Sequence, residues 1–284
     1  MLLQMPFNKE NMRKITLIIC LFVFTLNFSQ THRFIYQVDL KLNERIEKIN
    51  MVLDIDNEFV KFYDYKFLEM DSITKKTGEN WQTNTMTDQL VVRRLNSNEN
   101  KTFHDNNFDY FALTSTDQIN WKIENKIKKV QNYKLQKATT NFGGRNWTAW
   151  FSEEIPFQEG PYKFRGLPGL IFELYDETTD FKYSLINSIN LPSTFDTTNF
   201  LETHYGVKPI PVTLKQYHKI KLDRYNDPVA EIRKVVKDGG VININGQNIK
   251  TTEELDQRRK LLQEMTKKYY NPVERDKAIP YPTK

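Results

Sequence analysis

Residues 133–176 read YKLQKATTNFGGRNWTAWFSEEIPFQEGPYKFRGLPGLIFELYD. The sequence FGGR at residues 142–145 interrupts two segments that are typical of β-strands. Because a Gly-Gly pair tolerates the positive φ angles of a tight turn, it predicts a β-hairpin here. Along the second strand, Trp147 and Phe151 fall on one face and Trp150 on the other. The stretch therefore predicts an antiparallel, aromatic-rich sheet.

The second half of this stretch contains the hexapeptide GLPGLI at residues 166–171, which are Gly166, Leu167, Pro168, Gly169, Leu170 and Ile171. Pro168 and Gly169 occupy the second and third positions of a four-residue turn, as a type II turn requires. We therefore expect Gly169 at positive φ and Gly166 at a close backbone approach. The turn would direct a strand over residues 170–175. We interpret the motif as structural, with ligand contact by this loop as the alternative.

The stretch closely resembles the GLPGLI family of exported bacterial proteins, which is named after this hexapeptide. The flanking residues that carry the resemblance are Lys137-Ala138, Phe142, Gly144-Arg145, Ala149-Trp150-Phe151, Ile155-Pro156 and Gly160-Pro161. Leu135 departs from the family, which has Cys at this position. The resemblance implies export and an antiparallel sheet curled around helical elements, similar to bacterial lipoprotein-carrier domains. It implies no catalytic activity.

The rest of the amino-terminal two thirds is also rich in strand patterns. Alternation places one set of side chains on a common face: Phe34, Tyr36, Val38, Leu40 and Leu42. Residues 60–67 form an aromatic run that we interpret as a further strand, and the polar residues 71–88 predict a loop or weak hairpin. Nine or ten strands with turn signals at short intervals argue for an antiparallel sheet rather than βαβ units.

Helix signals are concentrated near the carboxyl terminus. Pro228 suits the first turn of a short helix that Gly239-Gly240 would end. Thr251 and Glu254 have the spacing of a capping box, which predicts a second helix. The chain from residue 271 to 284, with three prolines, predicts an extended tail. The fold class is thus mainly β (α+β): a single antiparallel curled sheet or half-barrel with carboxyl-terminal helices, as one domain over residues 30–284.

The first 29 residues have the pattern of a secretory signal peptide. Arg13 and Lys14 precede an uncharged run over residues 15–28, which is shorter than the roughly 20 residues of a membrane-spanning helix. Met12 is the better start, and cleavage is expected near Ser29. We therefore expect export through a cleaved signal, to the periplasm, the outer membrane or the medium, with no transmembrane anchor after processing. An uncleaved anchor and a buried element are the alternatives.

Composition excludes several classes of chemistry. Cys20 is the only cysteine and lies in the signal, so the mature chain has no disulfide, cysteine-zinc site or catalytic thiol. The formal net charge is +5 with both signs mixed along the chain, which argues against nucleic acid. The four histidines lack metal-ligand spacing, and no nucleophile elbow or phosphate loop occurs. We expect no metal, no cofactor and no catalytic residues.

Aromatic and basic residues of the quoted stretch are the best candidates for a ligand groove: Arg145, Trp147, Trp150, Phe164 and Arg165. Core packing is the alternative for the aromatic residues, and stacking or solvation for the two arginines. The sequence favours a non-catalytic binding module for a hydrophobic small molecule or an envelope protein. A structural or assembly component of the envelope is the alternative, and an enzyme of unrecognised class is less favoured. The oligomeric state is left open.

Overall fold

The computed structural model describes residues 30–106, 109–244 and 246–282. The predicted signal peptide, residues 1–29, and with it Cys20, lies outside the described residues.

Twelve strands in the described part of the chain form one sheet in the order β12-β6-β5-β4-β3-β2-β1-β11-β10-β9-β8-β7. Its neighbours pair antiparallel, except β12 and β6, which are parallel. The sheet does not close, so the predicted mainly β class is confirmed. The strands are β1 (Thr31–Leu42), β2 (Arg45–Ile55), β3 (Phe59–Asp64), β4 (Leu90–Arg94), β5 (Glu99–Asn106), β6 (Asp109–Thr116), β7 (Lys122–Val130), β8 (Tyr133–Phe142), β9 (Arg145–Ser152), β10 (Leu170–Asp176), β11 (Phe181–Leu191) and β12 (Ile210–Pro211).

The sheet is strongly curled. Four strand-to-strand steps separate β4 from β11, which would be roughly 19 Å in a flat sheet. Yet the Tyr183 hydroxyl on β11 donates a hydrogen bond of 2.6 Å to Oε1 of Gln89, next to the start of β4. Tyr36 likewise crosses the concave side to reach the carbonyl of Ile171 at 2.6 Å. The concave face holds the largest apolar cluster, which includes the predicted residues Phe34, Val38 and Leu40.

The convex face carries a second apolar cluster and a helix that the strand pattern did not reveal. Helix α1 (Tyr65–Thr77) replaces the predicted end of a strand at residue 67 and much of the predicted loop. Asp64 caps it by accepting the N–H of Lys66 at 2.9 Å. Phe67, its one buried side chain, stacks on Phe200 at 5.4 Å between ring centroids. The aromatic alternation of residues 60–67 therefore runs past Asp64, where β3 ends, into the first turn of α1.

Three further helices lie in the carboxyl-terminal third: α2 (Leu214–Asn226), α3 (Ala230–Lys237) and α4 (Thr252–Tyr269). The capping box of Thr251 and Glu254 is confirmed at the start of α4. Helices α1 and α2 both precede Pro228, so the expected confinement of helix to residue 228 onward is wrong. Helices α3 and α4 enclose a small apolar cluster with the hairpin of β13 (Ile242–Ile244) and β14 (Gln247–Ile249).

The GLPGLI hexapeptide does not form the predicted type II turn. The N–H of Gly169 bonds to the carbonyl of Leu167 at 2.8 Å, and Leu170 bonds instead to Ile155 at 3.0 Å. Gly166 adopts φ +93°, whereas Gly169 lies outside the left-handed region. A Cβ on Gly169 would lie 2.0 Å from the carbonyl oxygen of Ser152. The two glycines therefore have the reverse of their expected roles, because Gly169 packs directly on the end of β9.

We expect Gly169→Ala to destabilise the protein by about 3 kcal/mol or more, because backbone atoms of Ser152 cannot move away as a side chain can. Gly166→Ala is the matched control. Its Cβ meets nothing within 4 Å, so only the strain of positive φ remains, about 1 kcal/mol. Urea titration of both variants measures the difference, and equal midpoints would contradict the steric role of Gly169.

Candidate ligand-binding cavity

A cavity of about 450 Å³ lies between one end of the concave face and residues 270–279, which we name the C-terminal strap. Thr102 and His104 of β5 face it, and Leu113 of β6 lies opposite Thr102 in the register. Leu40 and Phe181, paired across β1 and β11, contribute apolar wall. Alternation within these strands puts one set of side chains in the cavity and the other in the convex cluster.

Aromatic and aliphatic side chains from outside the sheet complete the lining. Helix α2 contributes Leu214 and Tyr217, and the end of α4 contributes Tyr269. The strap adds Pro272, Val273 and Ile279 among other residues. The accessible wall is mainly apolar in area, as is usual for small-molecule sites, although eleven of the 24 lining residues are polar or charged.

Arg145 fixes the strap to the sheet. Its Nε donates to the carbonyl of Val273 at 3.1 Å. One terminal nitrogen donates to Asp176 at 2.7 Å and to Asp180 at 3.1 Å. The other donates to Oδ1 of Asn271 at 2.6 Å and to the carbonyl of Pro272 at 2.9 Å. All five N–H donors of the buried guanidinium are thus used within the protein.

The Gly-Gly turn before Arg145 lets the strap approach closely. The predicted hairpin turn is present, with φ +63° at Gly143 and +72° at Gly144. The N–H of Arg275 donates to the carbonyl of Gly143 at 2.6 Å. A Cβ on Gly143 would lie 2.9 Å from Cα of Glu274. The turn therefore needs glycine for its backbone angles and for its contact with the strap.

A second set of contacts, which we name the latch, joins the strap to the cavity wall. Glu274 Oε1 accepts the Tyr162 hydroxyl at 2.6 Å and Nζ of Lys163 at 2.7 Å. Asp117 pairs with Nζ of Lys163 at 3.1 Å and with Nζ of Lys277 at 2.8 Å. Tyr162 is held at φ +56°, a strained angle for a non-glycine residue that its bond to Glu274 helps to maintain.

The two lysines keep the latch acids ionised. Burial opposes the ionisation of Asp117, but the charges of Lys163 and Lys277 outweigh it and lower its pKa to about 2. Burial also opposes the ionisation of Glu274, and the same two lysines lower the pKa of this residue as well. Two cations and two anions face each other, so the latch has no net charge.

The latch does not have the arrangement of a Ser–Lys catalytic pair. Nζ of Lys163 lies 3.0 Å from the Ser115 hydroxyl, as a general base would. However, its three donors are already directed at Ser115, Glu274 and Asp117, and Ser115 donates to Asp117 at 2.5 Å. Such a saturated set holds structure together and leaves no group free to take a proton from the Ser115 hydroxyl.

His104 stands on the wall between two side-chain oxygens. Its Nε2 lies 3.1 Å from the Thr102 hydroxyl, and its Nδ1 lies 3.4 Å from Oδ1 of Asp88. The Thr102 contact follows from alternation, because residues two apart on β5 share a face. The longer contact to Asp88 is weak, since the Asp88 side chain is 57% exposed. The ring of His104 also lies 4.7 Å from that of Tyr217.

None of the five candidate groove residues lines this cavity, although Arg145 bonds to strap residues that do. Trp147 and Phe164 are buried and contact each other at 4.7 Å between ring centroids. Trp150 is half-buried on the other face of β9, under Nζ of Lys128 at 4.4 Å. Arg165 is half-buried and donates to Asn98 at 2.6 Å. A ligand-contact role for these residues stays a prediction.

Sequence patterns missed the residues that build the cavity. Asp117, Tyr217 and Glu274 lie in three unconnected segments, and no spacing relates them. One signal was present in the tail, where the apolar residues Val273 and Ile279 are atypical of a free polar end. Both are buried, and the predicted extended tail carries one 3-10 turn at Arg275–Lys277.

Two kinds of feature are absent from the described residues, a group of metal ligands and a membrane-spanning helix. Over residues 30–106, 109–244 and 246–282, no three His, Cys, Asp or Glu side chains are grouped as metal ligands. In the same ranges, no helix combines the length and the apolar character needed to cross a bilayer.

Comparison with protein families gives a match over a short segment of the chain. Residues 142–173 match a family model described as a protein of unknown function (Porph_ging). The matched residues include the FGGR turn, Tyr162, Lys163 and the GLPGLI hexapeptide. No curated protein matches the chain.

Twelve chains of solved structures are significantly similar to this one. Two of them are described as "Structure of PNGF-II in C2 space group" and "Structure of PNGF-II in P21 space group". Each is 14% identical over 68% of this chain, with a TM-score of 0.50. The similarity covers 32% and 33% of the PNGF-II chains, so it spans about a third of their length. At this identity the likeness concerns the fold alone.

We expect Arg145→Lys to destabilise the protein by about 3 kcal/mol or more. Lysine has three donors in place of the planar five-donor fork, so it cannot satisfy the buried Asp176 and the strap carbonyls together. Arg94→Lys is the control, because Arg94 is exposed and its pairing with Glu58 at 3.7 Å should be worth little. Urea titration measures both, and an unchanged midpoint for Arg145→Lys would contradict the anchoring role.

The latch should respond to acid. A lowered pKa in the folded state means that Asp117 stabilises the fold above its unfolded pKa of about 4, and that this stabilisation is lost as the pH falls toward 2. Lys277→Gln removes one of the charges that lower this pKa, so Asp117 should titrate at higher pH. Carboxyl ¹³C NMR titration measures the shift. Lys219→Gln, at an exposed pair with Asp223, is the control. An identical Asp117 titration in both variants would refute the latch.

Proposed function

We propose that this chain is an exported, non-catalytic binding protein that takes an apolar ligand of modest size in the cavity beneath the C-terminal strap. The observation that carries the proposal is a mainly apolar chamber of about 450 Å³ whose cover is fixed by named contacts. This volume lies within the usual range for small-molecule sites.

The state of the charged groups supports binding rather than catalysis. Lys163, Lys277, Asp117 and Glu274 neutralise one another within the latch. The five N–H donors of Arg145 all bond to the strap or to Asp176 and Asp180. A ligand in the cavity therefore meets chiefly apolar surface, and its affinity would come from the apolar area removed from water.

The place of action is also part of the proposal. Residues 1–29 have the charge and hydropathy pattern of a cleaved signal. The GLPGLI family of exported proteins, which residues 133–176 resemble, supports the same location. We infer that the ligand is met in the periplasm, at the outer membrane or outside the cell, where an apolar molecule needs a carrier or receptor.

Native mass spectrometry of the protein purified from its own envelope fraction tests this proposal. We expect a small molecule to remain associated with the chain and to be released by an organic solvent. The neutral dye N-phenyl-1-naphthylamine gives a second readout, since its fluorescence rises in apolar surroundings. We expect it to bind with one dye per chain.

Leu113→Trp should abolish binding of this dye, because the larger ring projects from β6 into the cavity and occupies it. Ile186→Trp is the matched control on the exposed face of β11, where Ile186 is 53% exposed. The control should bind as the parent protein does. Equal dye binding by both variants would place the apolar site elsewhere, and no binding by the parent would refute the proposed function.

A further inference from the structure

We propose that the ligand of this cavity is an uncharged amphiphile, with an apolar body and one neutral oxygen-bearing head that hydrogen-bonds to Tyr217. This inference rests on the proposed function and adds the chemical class of the ligand.

The buried hydroxyl of Tyr217, which lacks a hydrogen-bond partner, is the observation that points to a ligand. Tyr217 lines the cavity, is 5% exposed, and its hydroxyl has no hydrogen-bond partner among the described residues. Buried hydroxyl groups in folded proteins nearly always have a partner, and an unpaired one is costly. Within a chamber of this kind, the missing partner is a group that the protein itself does not supply.

A second hydroxyl on the same wall is in the same condition. Thr87 lines the cavity, and its Oγ1 is shielded from solvent and without a hydrogen-bond partner. Its backbone N–H and carbonyl, by contrast, are both bonded to Thr85. One further atom of the wall, Oε2 of Glu274, also has no hydrogen-bond partner, but it is ion-paired with Lys277. The two hydroxyl groups have no such partner, and a hydroxyl can donate to or accept from a neutral oxygen.

In the proposed complex, Tyr217 offers its proton to such an oxygen once the side chains that cover its hydroxyl move aside. The His104 ring packs against its ring at 4.7 Å and limits its orientation. Burial is the main cause that raises the pKa of Tyr217, so the phenol remains a neutral donor. An alcohol, ester or carbonyl oxygen on the ligand would accept its hydrogen bond.

The charges around the cavity argue against an ionised head group. The latch is neutral because its two lysines face two acids. Near Tyr217, the carboxylate of Asp88 faces His104 and is attracted by the charge of Lys221. Of these groups only Asp88 has no lysine or arginine at ion-pair distance, and 57% of its side chain is exposed, so its charge stays hydrated at the mouth and offers little to a buried head. An ionised head would lose its hydration there without gaining a counter-charge, which is unfavourable.

The volume limits the size of the body. At about 30 Å³ for each water-sized group, 450 Å³ holds roughly fifteen such groups. A chain of about twelve carbons with a small head fits this limit, so dodecan-1-ol is a suitable probe. Dodecanoate and dodecylammonium share its body and differ in head charge.

Displacement of N-phenyl-1-naphthylamine by these three probes, at concentrations where each remains dissolved as single molecules, tests the inference. We expect dodecan-1-ol to bind at least about fivefold more tightly than either ion. Tyr217→Phe should weaken dodecan-1-ol about five- to tenfold, the equivalent of one hydrogen bond, and leave the dye unaffected. Because the hydroxyl has no partner to lose, the midpoint of thermal unfolding should not fall. Tyr175→Phe, outside the cavity, is the control.

Each outcome decides between the two proposals. Equal affinity for the alcohol and the ions, or no effect of Tyr217→Phe on the alcohol, would overturn the inference. The latter result would mean that an ordered water satisfies the hydroxyl. In both cases, dye binding that is lost in Leu113→Trp would still support the proposed function. If neither dye nor probe binds the parent protein, both proposals fail.

Discussion

The buried guanidinium of Arg145 is the interaction on which the cavity depends. It joins three parts of the chain: the hairpin of β8 and β9, the turn between β10 and β11 through Asp176, and the C-terminal strap. A guanidinium can be buried only if its donors are satisfied, and here each of the five has an acceptor. Separation of the strap would leave three of these donors without acceptors in the core.

This dependence gives a physical account of the segment that matches a family model. Gly143 and Gly144 make room for the strap. Arg145 donates to backbone carbonyls of the strap, and Lys163 pairs with the carboxylate of Glu274 in the strap. Gly169 lets the strand that carries Asp176 start directly against β9. The matched residues 142–173 thus hold a distant part of the chain, the strap, against the open sheet. The segment contributes little of the cavity lining itself.

Local patterns sufficed for most of the fold. The alternation in β1 and the Gly-Gly hairpin are set by near neighbours, so they could be read from the sequence. Helix α1 could not, because aromatic alternation runs past Asp64 and the helix buries only Phe67. The cavity was even harder to predict from the sequence than helix α1. The sequence favoured stacking or solvation over ligand contact for Arg145, and its true partners could not be seen because they lie up to 128 residues away. The glycine roles in the hexapeptide were reversed for the same reason, as Ser152 is a neighbour in space only.

The strap also has a bearing on the order of assembly. Its bonds to Arg145 close loops of 126 to 128 residues, whereas the hairpins beside them close within a few. Long loops close at an entropic cost, and the pairing of β1 with β11 closes loops of similar length, from Leu40–Phe181 to Thr31–Leu191, so loop length alone does not order the two steps. During synthesis the strap emerges after every other wall of the chamber. The curled sheet can therefore form, open on its concave side, before its cover docks. A molecule already resting on that face would be enclosed by maturation itself, without any opening of the finished protein.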